Sequence, residues 1–395
     1  MNKTDFHLKQ TLKIFWIIGL FFFLSVGGYA QGDEKISIGH RTGMHSKILE
    51  KDIQLSVHAP DDYDRTEGRY PVLYTFQTHF AQVSGAVKNL YDYGLTPNII
   101  VVSIDNYEYG YLSPTKIESD PNSGQADQFL QFFKEELFTF IDSKYRTHPY
   151  RIVFSNSWGA MFAVYAVLVK PDIFHAAIAS VPWIPFDEEN RFMINHVEKF
   201  LSSTDYHNIL YMAMDNESVI LPDLETFLGV LGKIPKQGLK WEYHYWPEED
   251  HTSTPYRSLY SGLRTIFKGW NQIPPEIAFK GRTGIEEHID SLNSWFGYDI
   301  GISPSALRTA GQEHQRNKNY EEAISIFKYA VDKRPNDAFV YVTLGRIYEE
   351  CSMFPLAKES FQKAYDLALA SSHPQVKWVK NFLDKIIQKM DQIKK

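Results

Sequence analysis

Residues 155–159 read Ser155-Asn156-Ser157-Trp158-Gly159. They follow a short apolar run, Arg151 to Phe154 (RIVF), and precede Gly159 to Lys170 (GAMFAVYAVLVK), an apolar stretch of helical length stopped by Pro171. A serine on a sharp strand-to-helix turn needs small residues two before and two after it, because the backbone there is strained and closely packed. Gly159 is the usual residue at the second of these positions, and Ser155 replaces the usual glycine at the first. A serine hydroxyl attacks an acyl carbon only when a base accepts its proton. Such a base is expected in a loop at the C-terminal end of a strand, and His251 fits, in Pro247-Glu248-Glu249-Asp250-His251-Thr252 directly after Trp241 to Trp246 (WEYHYW). His244 lies within that strand and reads as structural.

A carboxylate should orient the base and stabilise its charged form. The run Ile209 to Met214 ends at Asp215-Asn216-Glu217, so both acids are candidates, with Glu217 preferred and Asp215 the alternative. The order Ser157, acid, His251 is that of a nucleophile elbow on a doubly wound sheet. The oxyanion formed on attack should be held by the backbone N–H of Trp158 and by a second N–H from the loop after Pro71 to Phe76 (PVLYTF), where Thr78 is the expected donor. His79 in the same loop is a candidate substrate contact or second base, and equally a packing residue. Tyr107, Tyr109 and Tyr111 precede Leu112-Ser113-Pro114-Thr115; Tyr109 and Tyr111 are expected to contact substrate by stacking and hydroxyl hydrogen bonds.

These residues need elements to position them. Between Ile36 and Ile273 the pattern alternates. Ile53–His58, Pro71–Phe76, Asn98–Ile104, Arg151–Phe154, Ala176–Val181, Ile209–Met214 and Trp241–Trp246 read as strands. Ser123–Tyr145, Gly159–Lys170 and Arg257–Trp270 read as helices. Apolar strands separated by helices imply an α/β fold with a doubly wound, mostly parallel sheet covered on both faces. The strands before Pro71 are expected to form an antiparallel edge. Residues 274–303 break in composition and read as a linker carrying one packing helix.

Beyond them a repeat appears. Gly311, Ala323, Phe327 and Ala330 recur as Gly345, Ala357, Phe361 and Ala364, each 34 residues on. This is the tetratricopeptide pattern, in which small residues let paired helices approach closely. Two repeats over 304–371 and an amphipathic capping helix over 372–395 are expected. They either bind a protein partner or brace the preceding domain, since a short array leaves apolar faces that must be covered.

Composition narrows the possibilities. The net charge of −7 over 395 residues argues against nucleic acid as a partner. The lone cysteine, Cys351, rules out an intramolecular disulfide and argues against a cysteine metal site; no metal and no organic cofactor are expected. The aromatic content (27 Phe, 24 Tyr, 8 Trp) fits a packed core or an aromatic-lined cleft. At the N-terminus, Lys3, Lys9 and Lys13 precede an apolar run, Ile14 to Val26, and Gly28-Tyr29-Ala30 before Gln31. This is the pattern of a signal peptide over residues 1–30, with an apolar run too short to span a bilayer. The mature chain is expected to be exported, periplasmic or secreted, with no stable membrane span.

The runs YPVLYTFQTHFAQVSG, NIIVVSIDN, LSPT, YRIVFSNSWGAMFAVYAVLVKPDIFHAAIASVP and EEDHTSTPYRSLYSGLRTIF resemble the esterase family of α/β hydrolases that includes enterochelin (siderophore) esterases and is related to esterase D-like S-formylglutathione hydrolases and feruloyl esterases. The resemblance covers about Ser46 to Trp270. It implies an α/β-hydrolase domain over 31–273, with Ser157 as nucleophile, His251 as base and Glu217 at a position where the family often carries an acid. The chain departs from the family at Ser155-Asn156 and Trp158-Gly159-Ala160, where G-H-S-x-G-G is usual. It departs again at Gln77-Thr78, where Asp-Gly is usual, and at the tyrosines, where basic residues are common. Tyrosines suit a sugar-linked or aromatic ester better than an anionic siderophore. The expectation is therefore a serine esterase acting on a small-molecule or glycan-linked ester. The rivals are a degenerate hydrolase domain acting with its repeats as a binding scaffold, and a peptidase or acyltransferase on the same residues.

Overall fold

In a computed structural model of the chain, residues 37–393 are described apart from 77–79, 119, 185–190, 204, 218, 235–237 and 372–374. The segment expected to be a signal peptide, and with it the question of export, lies outside the described residues, as do Thr78 and His79.

Eight strands form one sheet: β1 (His40–Ser46), β2 (Lys51–His58), β3 (Tyr70–Phe76), β4 (Ile100–Ile104), β5 (Thr147–Asn156), β6 (Ala176–Ser180), β7 (Asn208–Met214) and β8 (Leu239–Tyr245). Their order is β1-β2-β4-β3-β5-β6-β7-β8. β1 runs antiparallel to β2, and β2 antiparallel to β4. All later pairs are parallel. The antiparallel edge and parallel centre expected from the sequence are both present. Central strands β3, β4, β6 and β7 are buried at every position, which is why they read as unbroken apolar runs.

One face of the sheet carries the helices Ala126–Phe132 and Phe138–Lys144, the elbow helix Ser157–Val169, and the helices Phe192–Ser203 and Leu221–Lys233. The other face carries Phe80–Asp92 and Thr254–Ile266. The elbow helix is apolar on all sides and buried from Gly159 to Leu168, as a helix trapped between sheet and outer helices must be. The stretch read as one helix over 123–145 is interrupted by a π turn at Phe133–Leu137. The turn carries Glu136, whose carboxylate accepts the Ser46 hydroxyl at 2.5 Å and the Lys47 and Ile48 N–H groups at 2.9 and 3.3 Å. Those bonds pin the β1–β2 hairpin, and β1 is a strand the sequence pattern did not reveal because its residues (HRTGMHS) are polar and half exposed.

The segment 274–303 is more than a linker. Its helix Gly281–Phe296 buries Ile285 and Ile289 among Ala306, Leu307, Ile326 and Tyr329 of the following helices. The far end of the same helix inserts Phe296 beside Tyr150, Phe267 and Trp270 of the sheet domain. Four helices follow as two hairpins, Pro304–Arg316 with Tyr320–Lys333 and Ala338–Glu350 with Phe354–Ala370. A Cβ on Gly311 would lie 2.3 Å from the Phe327 ring, and one on Gly345 2.6 Å from the Phe361 ring. The 34-residue spacing thus corresponds to one contact made twice. Helix Val376–Ile393 covers the second hairpin through Val379, Leu383 and Ile386. Cys351 sits half-buried at the hairpin turn. Among the described residues, no helix is long and apolar enough to cross a membrane.

Candidate active site

The chain leaves β5 at Asn156 and enters the elbow helix at Ser157 with φ +55°. A non-glycine residue in the left-handed region carries strain, which persists only where surrounding packing imposes it. The packing here is tight. A Cβ at Gly159 would lie 2.0 Å from Ser155 Oγ and 2.6 Å from Phe76 Cε2, so glycine is required two residues after the serine. Ser155 is fully buried on the other side of the turn. A second strained residue, Val181 at φ +51°, follows neighbouring β6. Its N–H donates to Ala213 O at 2.7 Å, while Trp183 N–H reaches back to Ser157 O at 3.3 Å.

β7 ends at Met214 and β8 at Tyr245, so the loops after these adjacent parallel strands meet. His251 Nδ1 lies 2.7 Å from Glu217 Oε1, with both side chains about two-thirds buried. The distance is that of an ion pair, but the ring N–H does not point along it as a straight hydrogen bond would. Asp215 is fully buried. Its Oδ1 accepts the Glu217 N–H at 3.0 Å, and its Oδ2 faces the Thr254 hydroxyl at 3.4 Å. Asp215, Glu217 and His251 bring ligand-type atoms within 4.8 Å of one another, a spacing that could also hold a cation. The His251 loop is shaped by Asp250, whose Oδ1 accepts the Thr252 and Ser253 N–H groups at 2.8 and 2.9 Å. The Thr252 hydroxyl, donating at 2.7 Å, and then these N–H bonds hold the Asp250 carboxyl well below its ordinary range, at about 2.

Ser157 and His251 line one cavity of about 980 Å³ together with Arg41, Ser56, Asp105, Tyr107, Tyr109, Asp120 and Trp158. One wall is an edge-to-face aromatic series: Tyr107 and Tyr109 have centroids 5.7 Å apart, and Tyr109 and Trp158 6.1 Å. Tyr109 therefore stands where a substrate contact was expected. Tyr111 does not. Its ring is buried and stacked 5.2 Å from Phe129, because the short helical turn Tyr109–Leu112 leaves Tyr109 outside and buries the three residues after it. Tyr107, Arg41, Ser56, Asp105 and Asp120 join the cavity from elements far apart in sequence. Arg41 gave no sequence signal, since a single arginine on an irregular edge strand looks like any solvated cation. His244 is structural as expected, stacked between Tyr211 and Trp246.

A strained serine at the β5–helix junction, in an eight-stranded sheet of this order, decides the architecture. The fold is that of the α/β hydrolases. A family profile described as "Putative esterase" matches residues 46–220. The ferri-bacillibactin esterase BesA of Bacillus subtilis (strain 168) is 28% identical over 142 residues, covering 34% of this chain and 48% of that protein. This chain thus matches about half the length of that relative. Among solved structures, an IroE-like serine hydrolase from Shewanella oneidensis superposes with TM-score 0.63 at 22% identity, covering 73% of this chain and 97% of that one. An uncharacterised protein from Capnocytophaga ochracea superposes with TM-score 0.61 at 16% identity over 82% of this chain and 93% of its own. At these identities the superpositions speak for the fold, and the second extends beyond the sheet domain into the following helices.

Proposed function

We propose that this protein is a serine hydrolase of carboxylic esters. One observation carries the reading: Ser157, held at φ +55° on the elbow, shares a cavity with His251, whose Nδ1 meets a carboxylate at 2.7 Å. With Nδ1 lying 2.7 Å from Glu217, Nε2 is the nitrogen left for the serine proton. Ser157 Oγ attacks the ester carbonyl carbon, and His251 takes the hydroxyl proton. The oxyanion is stabilised by backbone amides, that of Trp158 among them, with Thr78 as the second donor. His251 then protonates the departing alkoxide. Water, activated by the same histidine, cleaves the acyl-enzyme and restores Ser157. Glu217 orients His251 and stabilises its charged form, and His79 and Tyr109 contact substrate. The esterase profile and the siderophore-esterase relative support an ester as the substrate class.

The N-terminal pattern supports export of the mature chain. The paired hairpins with matched Gly–Phe contacts support reading residues 304–371 as two tetratricopeptide repeats. The helix Gly281–Phe296, which packs on the repeats through Ile285 and Ile289 and on the sheet domain through Phe296, favours bracing as their first role.

The test is labelling with a fluorophosphonate, which modifies only an activated serine. The expected result is one adduct at Ser157, absent in Ser157→Ala, with 4-nitrophenyl ester turnover lost in the same variant. Turnover should survive EDTA, which separates an acid–base role of Asp215, Glu217 and His251 from a cation site. Equal turnover by both proteins and an unlabelled Ser157 would overturn the assignment and leave the domain as a binding scaffold.

A further inference from the structure

We infer that Arg41 makes this cavity selective for an ester that also carries a free carboxylate. The inference rests on the hydrolase reading of the same cavity and narrows its substrate class. Besides His251, three side chains charged at neutral pH line the space: the cationic Arg41 and the anionic Asp105 and Asp120. Both acids are already engaged. Asp105 Oδ2 accepts the Ser56 hydroxyl at 2.7 Å, and Asp120 Oδ1 accepts the Asn122 N–H at 2.9 Å. The exposed side chain of Arg41 has no hydrogen bond or ion pair with any described residue, although its Cα partner across the strand pair is Ser56, the residue that holds Asp105. Both carboxylates keep their charge, because their partners are neutral, but their oxygens already have donors; Arg41 is the charged side chain of this lining whose own donors have no described partner.

A guanidinium offers five donors in a rigid fork that matches a carboxylate bidentately. Arg41 stands on β1, in the hairpin pinned by Glu136, so its strand is anchored. The Tyr107–Tyr109–Trp158 wall supplies a flat apolar surface in the same cavity. At about 980 Å³ the space accommodates far more than a short acyl group. The matching ligand is an ester with an apolar or aromatic body and a distal carboxylate. A neutral sugar ester would leave Arg41 unused.

Two measurements on the full chain test this. The first is the ratio of kcat/KM for mono-4-nitrophenyl glutarate over 4-nitrophenyl valerate, two esters of similar length differing in one negative charge. Wild type is expected to favour the anionic ester about fivefold at low ionic strength, with the difference mainly in KM and shrinking as salt is added. Arg41→Gln should bring the ratio to about one, Arg41→Lys should keep most of it, and Arg41→Glu should invert it. Because a ratio is read, a general loss of activity in a variant cancels. The second needs no turnover: 3-phenylpropionate and 3-phenylpropanamide are titrated into the Ser157→Ala chain by calorimetry or NMR. The acid should bind several-fold more tightly, and adding Arg41→Gln should remove the difference. Equal affinities, or an anionic preference that survives Arg41→Gln, overturn the inference and leave the hydrolase reading intact. An acid preference in a chain that hydrolyses neither ester and is not labelled at Ser157 sinks the hydrolase reading and keeps the anion site.

Discussion

Gly159 is fixed by what its neighbours occupy. An added Cβ would collide with Ser155 Oγ and Phe76 in a fully packed turn, so Gly159→Ala should destabilise the protein by about 1–3 kcal/mol, read as a lower urea midpoint at unchanged slope. The two carboxylates near His251 differ in the same way. Glu217 reaches the ring, whereas Asp215 is buried and accepts the Glu217 N–H, and the Thr254 hydroxyl 3.4 Å from its other oxygen has a shorter acceptor in Asp250 O at 2.7 Å. Glu217→Gln should therefore lower kcat at least tenfold with little change in Tm. Asp215→Asn should lower Tm as well, because it puts amide N–H donors into a fully buried site built around an acceptor. A steady-state assay paired with thermal melts of both variants separates the roles. The reverse pattern would make Asp215 the acid.

Two histidines flank the start of the parallel core, His148 on β5 and His175 just before β6. His148 stacks on Tyr298 with centroids 3.7 Å apart, and His175 stacks on Tyr150 and accepts the Arg151 N–H on Nδ1 at 3.1 Å. Burial, followed by the guanidinium of Arg69 for His148 and that of Arg151 for His175, lowers both to about 4. A histidine whose folded pKa lies below its ordinary value stabilises the folded state when neutral. That contribution is complete above about pH 6.5 and is lost as pH falls towards 4. Tm should accordingly drop between pH 7 and 4.5. His148→Gln should flatten part of that slope in melts followed by circular dichroism; an unchanged slope would show that His148 does not report on this contact.

The helix Gly281–Phe296 joins the two halves of the molecule, with Ile285 and Ile289 on the hairpins and Phe296 in the sheet domain. Phe296 meets Tyr150 and Phe267 at 4.9 and 5.4 Å between centroids. Phe296→Ala should cost about 3–5 kcal/mol by leaving a cavity there. Truncation at residue 273 should expose Tyr150, Phe267 and Trp270 and give an aggregating hydrolase domain. Truncation at residue 303, which keeps Phe296, should give a soluble domain with a lower Tm. A truncated 1–273 chain that melts like the full protein would mean the helices do not brace it.

Much of this molecule is legible from local pattern. Ser157 lies between a β-branched apolar run and an apolar helix, and that succession specifies the elbow wherever the sheet is assembled. The buried parallel strands appear as unbroken apolar runs, and the 34-residue recurrence of Gly and Phe reflects a contact set by helix geometry alone. His251 and Glu217 are identifiable because each follows a recognisable strand. Other features depend on distant pieces of chain meeting. β1 is a strand only because β2 and Glu136 hold it, so nothing in HRTGMHS announces it, and Arg41 reaches the cavity with it. Tyr109 and Tyr111 have the same chemistry two residues apart; only the turn that carries them sends one to the cavity and the other onto Phe129. Local pattern encodes which face of a regular element is apolar. It cannot encode which surfaces converge at the mouth of a cavity, because that depends on the order and register of strands drawn from across the chain.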